Sequence, residues 1–253
     1  MKASILTIAV VLLTSSMVFA GTACNTASPL RGDGDGTKFD FVGPSSSNYY
    51  QFSASMGRSY SVQVTSVYDD VNTDITATAW TDTGCSVALA GTVNTVNANP
   101  GLPANSTRFS FTAAANGTVY LKVTNANGAT GRYVDISAEE TSLYNPRWTT
   151  TQGYLTVYGV QNTTNQIAHV SMVATIDFNG SSFGNFGTVT LNLTLQPNQR
   201  QLVALAPGQS INIPAGEGGY LVITDDVPKG GIVADAYFAN NVSLVPAVVT
   251  TAR

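Results

Sequence analysis

Apolar and polar residues alternate along most of this chain. Tyr60, Val62 and Val64 fall on one side of an extended segment, and Ser61 and Gln63 on the other. Val119, Leu121 and Val123 alternate with Tyr120 and Lys122, and Val189, Leu191, Leu193 and Leu195 with Thr190, Asn192 and Thr194. A period of two marks a strand with one buried face. No window sustains a helical period. Turn pairs interrupt the pattern at short intervals: Met56-Gly57, Thr83-Gly84, Asn116-Gly117, Asn127-Gly128, Asn179-Gly180 and Gly230-Gly231. Such pairs supply the positive φ that hairpins need.

The pattern predicts strands over 37–42, 49–53, 59–66, 73–81, 85–89, 107–113, 117–124 and 132–138. A second set covers 147–151, 154–161, 167–177, 186–195, 200–205, 209–213, 219–224 and 231–238. Many short strands with glycine turns predict an all-β protein of two β-sandwich domains. The division falls near 139–146, where Glu139-Glu140-Thr141-Ser142 leads to Asn145-Pro146. Pro146 cannot donate to a sheet ladder.

The first 20 residues read as a secretion signal: Lys2, an apolar run from Ile5 to Leu13, and small residues at Val18 and Ala20 ahead of a cleavage point. That run is too short to span a bilayer comfortably, and no later segment is apolar enough to do so. The expected layout is a signal peptide over 1–20, one sandwich over 21–141, a second over 142–245 and a tail over 246–253. Removing the signal leaves 253 − 20 = 233 residues, enough for two cores.

Composition sharpens this. Charged residues are only 10% of the chain and the net charge is −4. There is no basic footprint for nucleic acid. Ser, Thr, Asn and Gly carry the polar surface, as suits an exported, Thr-rich β-protein. Cys24 and Cys85 are the only cysteines. In an exported chain they read as one disulfide. A competing fate for Cys24 is lipidation, because it lies just past the apolar run; Gly21 stands where an aliphatic residue is usual for that signal. The two fates exclude each other.

The segment from Tyr49 to Val62 has an aromatic strand, a glycine turn at Gly57 and an alternating strand. Asp74-Ile75-Thr76-Ala77-Thr78-Ala79-Trp80 is an Asp-led central strand. Arg108–Phe111, Gly117–Val123 and Gly131–Ile136 follow as three closing strands. Over residues 37–138 this resembles the bacterial pre-peptidase C-terminal domain. The resemblance implies a jelly-roll-like sandwich of a secreted protein, with collagen or polysaccharide binding in some members and calcium at the N-terminal edge in others. The second block resembles bacterial immunoglobulin-like modules in strand rhythm and in proline-bearing turns such as Ile213-Pro214-Ala215-Gly216.

Catalytic chemistry finds little to work with. His169 is the only histidine. Alternation puts it on an exposed face with Ser171, roughly 6.5–7 Å apart and parallel, which makes no nucleophilic dyad. One His and two Cys cannot close a zinc site. There is no Gly-x-Ser-x-Gly elbow, P-loop or dinucleotide fingerprint.

Calcium is the one metal with candidates: Asp33, Asp35 and Asp40 supply oxygens at alternate positions around glycines, although Pro44 stands where an EF-hand has its Glu. Asp69, Asp70 and Asp74 form a second acidic group. Arg31-Gly32-Asp33 and six Asn-x-Ser/Thr sequons, among them Asn162, are short enough to recur by chance. No cofactor is required.

Candidate ligand-contact aromatics are Trp80, Tyr120 and Tyr133, with Trp80 out of phase with Ile75, Ala77 and Ala79 and so expected outside. The expectation is a secreted or surface-associated, non-enzymatic adhesion protein that binds an extracellular polysaccharide or matrix polymer; a periplasmic location fits the same signal. Alternatives are a structural subunit that self-associates through strand edges, and an accessory or inhibitor of a secreted hydrolase.

Overall fold

A computed structural model describes residues 21–30, 38–67, 74–89, 106–240, 244–247 and 249–251. Among these residues the chain is built from strands, with short 3-10 turns at Cys24–Thr26 and Thr151–Gly153. The strands are β1 (Ser28–Pro29), β2 (Lys38–Val42), β3 (Ser46–Ala54), β4 (Ser59–Val67), β5 (Ile75–Trp80), β6 (Ser106–Thr112), β7 (Gly117–Asn125) and β8 (Arg132–Glu140). They continue as β9 (Leu143–Thr149), β10 (Leu155–Asn162), β11 (Ala168–Asn179), β12 (Ser182–Leu195), β13 (Arg200–Ala206), β14 (Ile211–Asn212), β15 (Glu217–Asp225), β16 (Ile232–Ala239), β17 (Leu244–Ala247) and β18 (Thr250–Thr251).

Sheets β1-β3-β7-β5 and β2-β8-β4-β6 face each other in a first sandwich, and β12-β11-β15-β9-β18 and β14-β13-β10-β16-β17 in a second. The alternation read from the sequence decides what lies between them. Tyr50, Ile75 and Leu121 meet Val62, Val134 and Ile136 in one core; Trp148, Met172 and Leu221 meet Tyr158, Val203 and Ala236 in the other. Burying each such side chain is worth about 1.5–3 kcal/mol.

Both sandwiches close their ends with the same device. Asn125 is fully buried; its Nδ2 donates to the carbonyls of Val42, Gly43 and Thr130, and its Oδ1 accepts from Asn127 N. Asn162 does likewise to Gln166, Leu195 and Gln196, with Thr164 N as its donor. A buried amide that satisfies three carbonyls pins strand ends that would otherwise be left unpaired. Asn162 is therefore a structural plug, and its sequon is closed to glycan attachment.

Three segments differ from expectation. The strand predicted over 85–89 is a turn, nucleated by Asp82, whose carboxylate accepts from Gly84 N, Ser86 N, Ser86 Oγ and Val87 N. These donors hold the Asp82 carboxyl below its ordinary range. Pro146 lies inside β9, in a bulge: Gly219 pairs with Trp148 and Leu221 with Asn145, so Pro146 and Arg147 together oppose Tyr220. A bulge is where a residue without an N–H can enter a sheet. Residues 246–247 and 250–251, expected in a tail, are in strands: β17 (Leu244–Ala247) joins β16 and β18 joins β9.

Cys24 and Cys85 form a disulfide with Cα atoms 6.0 Å apart. Closing a loop of this length stabilises by about 4 kcal/mol in the chain-entropy model. With both sulfurs bonded to each other, Cys24 carries no lipid in this state.

The junction between the sandwiches has a buried polar knot. Ser59 and Ser142 are fully buried and Thr141 nearly so. Ser59 N donates to Ser142 Oγ at 2.7 Å, Thr141 Oγ1 donates to Ser59 Oγ at 2.7 Å, and Asp225 N reaches the same Ser59 Oγ at 3.3 Å. One hydroxyl thus ties β4, the connecting residues and the end of β15. Ser59→Ala should lower stability by about 2–3 kcal/mol, because it strands buried donors rather than merely deleting a bond; equilibrium denaturation checks this, and an unchanged midpoint would show the knot to be energetically silent.

Candidate ligand-binding surface

Strand β2 is an edge strand whose two faces do different jobs. Lys38 and Asp40 lie opposite Ile136 and Val134, on the core side. There Asp40 Oδ2 accepts from Tyr50 Oη at 2.9 Å, and Lys38 Nζ sits 5.2 Å from the Tyr50 ring centre. Burial pushes the Tyr50 phenol up, which keeps it a donor. Inward-pointing charge on an edge strand also discourages further strand pairing.

The opposite face of β2 carries Phe39 and Phe41, which are 52% and 47% exposed, and β8 brings Tyr133, at 46%, beside them. Phe39 and Tyr133 stack with ring centres 5.4 Å apart and planes 11° apart; Phe41 tilts against Tyr133 at 5.0 Å. Large rings are ordinarily buried, so three in mutual contact at the surface form an informative patch. Register continues the face inward from the rings. Asp135 lies opposite Phe39 and Thr65, and Ser137 opposite Gln63. Gln63 Nε2 donates to Thr65 Oγ1, which bonds Ser106 Oγ. The result is a sheet face with stacked rings at one edge and a pre-organised polar row beside them.

Of the aromatics singled out in the sequence, only Tyr133 belongs to this patch. Tyr120 is 8% exposed and packs with Cys24 and Ala27; Trp80 is half-buried against the same cluster. Alternation does place both outside their sandwich core. The N-terminal residues, held by the disulfide, then cover that outer face, a long-range effect that alternation cannot register. Alternation hides Phe39 and Phe41 because the polar Lys38 and Asp40 that flank Phe39 face a core edge rather than solvent.

Of the calcium candidates, Asp33 and Asp35 lie outside the described residues, as do Arg31-Gly32-Asp33, Asp69 and Asp70. Asp40 is engaged with Tyr50 and, through Oδ1, with Phe41 N at 2.8 Å. Asp74 Oδ2 accepts from Asn127 Nδ2 and pairs with Arg132. No group of three or more metal-type ligands occurs among the described residues.

A second feature lies where the sandwiches meet. A cleft of about 350 Å³ is lined by Ser110, Phe111, His169, Asn192, Asp225 and Asp226. His169 is exposed, and Asp226 clamps it: Oδ1 accepts from His169 N at 2.8 Å and Oδ2 meets Nδ1 at 2.7 Å. Behind them Asp225 and Arg108 are 6% and 5% exposed. Burial raises the Asp225 carboxyl to about 8; the nearby Asp226 adds to the rise, while Val227 N and Arg108 oppose it. The pairing of Asp226 with His169 is legible only once the β11–β15 register is known, since Val170 opposes Asp225.

No protein-family model matches the chain, and no curated protein is similar to it in sequence. Among solved structures, it is similar to the pre-peptidase C-terminal domain of collagenase from Bacillus anthracis, with 16% identity and a TM-score of 0.34, over 44% of this chain and 93% of that one. It is also similar to a Bacteroides uniformis β-glucuronidase, with 11% identity and a TM-score of 0.20, over 81% of this chain and 26% of that one. A putative β-galactosidase from Bacteroides fragilis gives 14% identity and a TM-score of 0.19, over 83% of this chain and 33% of that one. The chain thus spans about a quarter and a third of those two enzymes' lengths.

The raised carboxyl at the junction has a sign. Asp225 holds its proton more tightly folded than unfolded, so its contribution to stability is full below about pH 4 and is lost as pH rises toward 8. Asp225→Asn should therefore melt at about the wild-type temperature near pH 4 and at least ~3 °C higher near pH 8. Parallel melting curves across that range would mean that Arg108 keeps the acid ionised throughout.

Proposed function

We propose that this chain is an exported, non-enzymatic binding protein that recognises a polysaccharide through the aromatic strip of its first sandwich. The observation that carries the reading is the stacked, half-exposed set Phe39, Tyr133 and Phe41 on one outer sheet face. The C–H faces of sugar rings pack against the negative faces of aromatic rings, and neighbouring hydroxyls need donors and acceptors at fixed positions. Asp135, Ser137 and Gln63 supply these from the adjoining strands. The disulfide and the N-terminal signal pattern support export. No helix among the described residues is long and apolar enough to cross a membrane.

A second reading is self-association through β12. This edge strand runs Ser182–Leu195 without a charged residue or a proline. Natural edges are usually blunted by such residues, as β2 is by Lys38 and Asp40.

Retention on insoluble cellulose, chitin, peptidoglycan and collagen tests the first reading. Tyr133→Ala should reduce retention on a polysaccharide about fivefold or more, and Trp80→Ala should not. No retention on any polysaccharide, or retention on collagen alone, would overturn it. Sedimentation velocity at rising concentration tests the second. Dimers or larger species that Thr190→Lys returns to monomer are expected; a wild-type chain that stays monomeric at the highest concentration rules β12 pairing out.

A further inference from the structure

The second sandwich has a groove that the strip in the first does not explain. Two concavities, of about 600 and 360 Å³, meet at one pair of residues, Asp177 and Phe183. The larger is bordered by Arg147, Gln152 and Phe178 over a glycine pair, Gly218-Gly219; the smaller by Asn185 and Tyr220. Phe183 stands between them, 85% exposed, with its ring 5.1 Å from that of Phe178. Both volumes fall in the range of about 300–1,000 Å³ typical of small-ligand sites.

The groove is built by broken register in neighbouring strands. On β11, Ile176 pairs with Gly219 and Phe178 with Gly218, so Asp177 has no partner on β15. On β12 the same step spans Phe183 to Gly187, which leaves Gly184, Asn185 and Phe186 opposite Asp177. On β9 the bulge at Pro146 and Arg147 lies one residue along from Trp148, the partner of Gly219. Bulges that re-aim side chains gather beside binding sites. The floor has no room for a side chain at Gly219, where a Cβ would collide with the Thr175 carbonyl, and little at Gly218, where one would lie 3.2 Å from the Trp148 carbonyl. At the rim Gln152 holds φ at 56°, a left-handed conformation unusual for its type.

We infer that this groove is a second ligand site, and that it takes a neutral oligosaccharide chain. The chemistry of the lining selects that class. A highly exposed ring and a half-buried tyrosine offer stacking surfaces on either side of a constriction. Gln152 offers a donor and an acceptor, and Asn185, whose Oδ1 accepts from Gly187 N, offers its amide N–H groups. The one acid, Asp177, and the one base, Arg147, cancel, so the groove carries no net charge to reward an anion or a cation. Two lobes that share a central ring suit a chain of sugar units lying across Phe183.

The test uses soluble hexaoses of cellulose, chitin, starch, xylan and mannan with the exported form of the chain. Saturation-transfer NMR finds binders and titration calorimetry measures them. At least one hexaose should bind, and Phe183→Ala should weaken it about tenfold or more. Asn185→Ala should weaken the same hexaose, and Tyr133→Ala should leave its affinity unchanged. Phe183 is on the surface, so the variant keeps its melting temperature. No binding by any of the five, or equal binding by wild type and Phe183→Ala, overturns the inference. Loss on Tyr133→Ala alone also overturns it while supporting the strip; loss on Phe183→Ala alone supports the groove whatever becomes of the strip.

Discussion

The architecture depends on the hydroxyl of Ser59. It accepts from Thr141 and from Asp225 N, while Ser59 N donates to Ser142. Each of these groups is buried, so each bond avoids a desolvation cost as well as adding an attraction. The bonds join β4, an inner strand of one sheet, the chain that leaves the first sandwich and the last residue of a central strand in the second. Two sandwiches joined only by a flexible link would move independently. Here the short connection is stitched on both sides, and buried Arg108 faces the paired acids Asp225 and Asp226 across the same seam. The outer faces of the two sandwiches therefore keep a defined relation to each other.

Around that seam the two sandwiches solve common problems in common ways, and they differ where function is expected. Each buries an asparagine to close its strand ends. Each fills its core from the inward half of an alternating pattern. The differences lie on edges and outer faces. The β2 edge turns charge inward and rings outward. The β12 edge carries no charge at all, and its first half stands clear of the core with Phe183 and Phe186 exposed. Among the described residues Phe183 is the most exposed of the large hydrophobic side chains.

Much of this fold is legible in the residues. Alternation located β4, β7, β8, β11 and β12 because each has one face in a core and one outside it. Glycine-bearing turns located their ends. The 85–89 segment reads as a strand because Ser86, Val87 and Leu89 look strand-like, whereas Asp82 gathers the N–H groups of Ser86 and Val87 into a turn and Leu89 N returns to Ala79 O. The candidate surface was less readable. Tyr133 is visible as a residue out of phase with Val134 and Ile136, but its neighbours Phe39 and Phe41 come from a strand 90 or so residues earlier, and only pairing brings them together. The groove depends on register slips at Asp177 and Pro146, and register across a sheet is not written in any one strand. The covering of Trp80 and Tyr120 likewise needs the disulfide's path.

The placement of the two tryptophans has a practical consequence. The chain has only two, and they are divided between the sandwiches. Trp148 is fully buried in the second core, with its indole Nε1 donating to Tyr220 O at 2.9 Å. Trp80 packs in the first against the same small cluster as the Cys24–Cys85 disulfide, and disulfides accept electrons from excited indoles at short range. The molecule thus has an intrinsic optical label in each half, one buried in a core and the other in the disulfide's cluster. Emission that brightens on reduction reports on the first half, and emission that shifts to the red without brightening reports on the second.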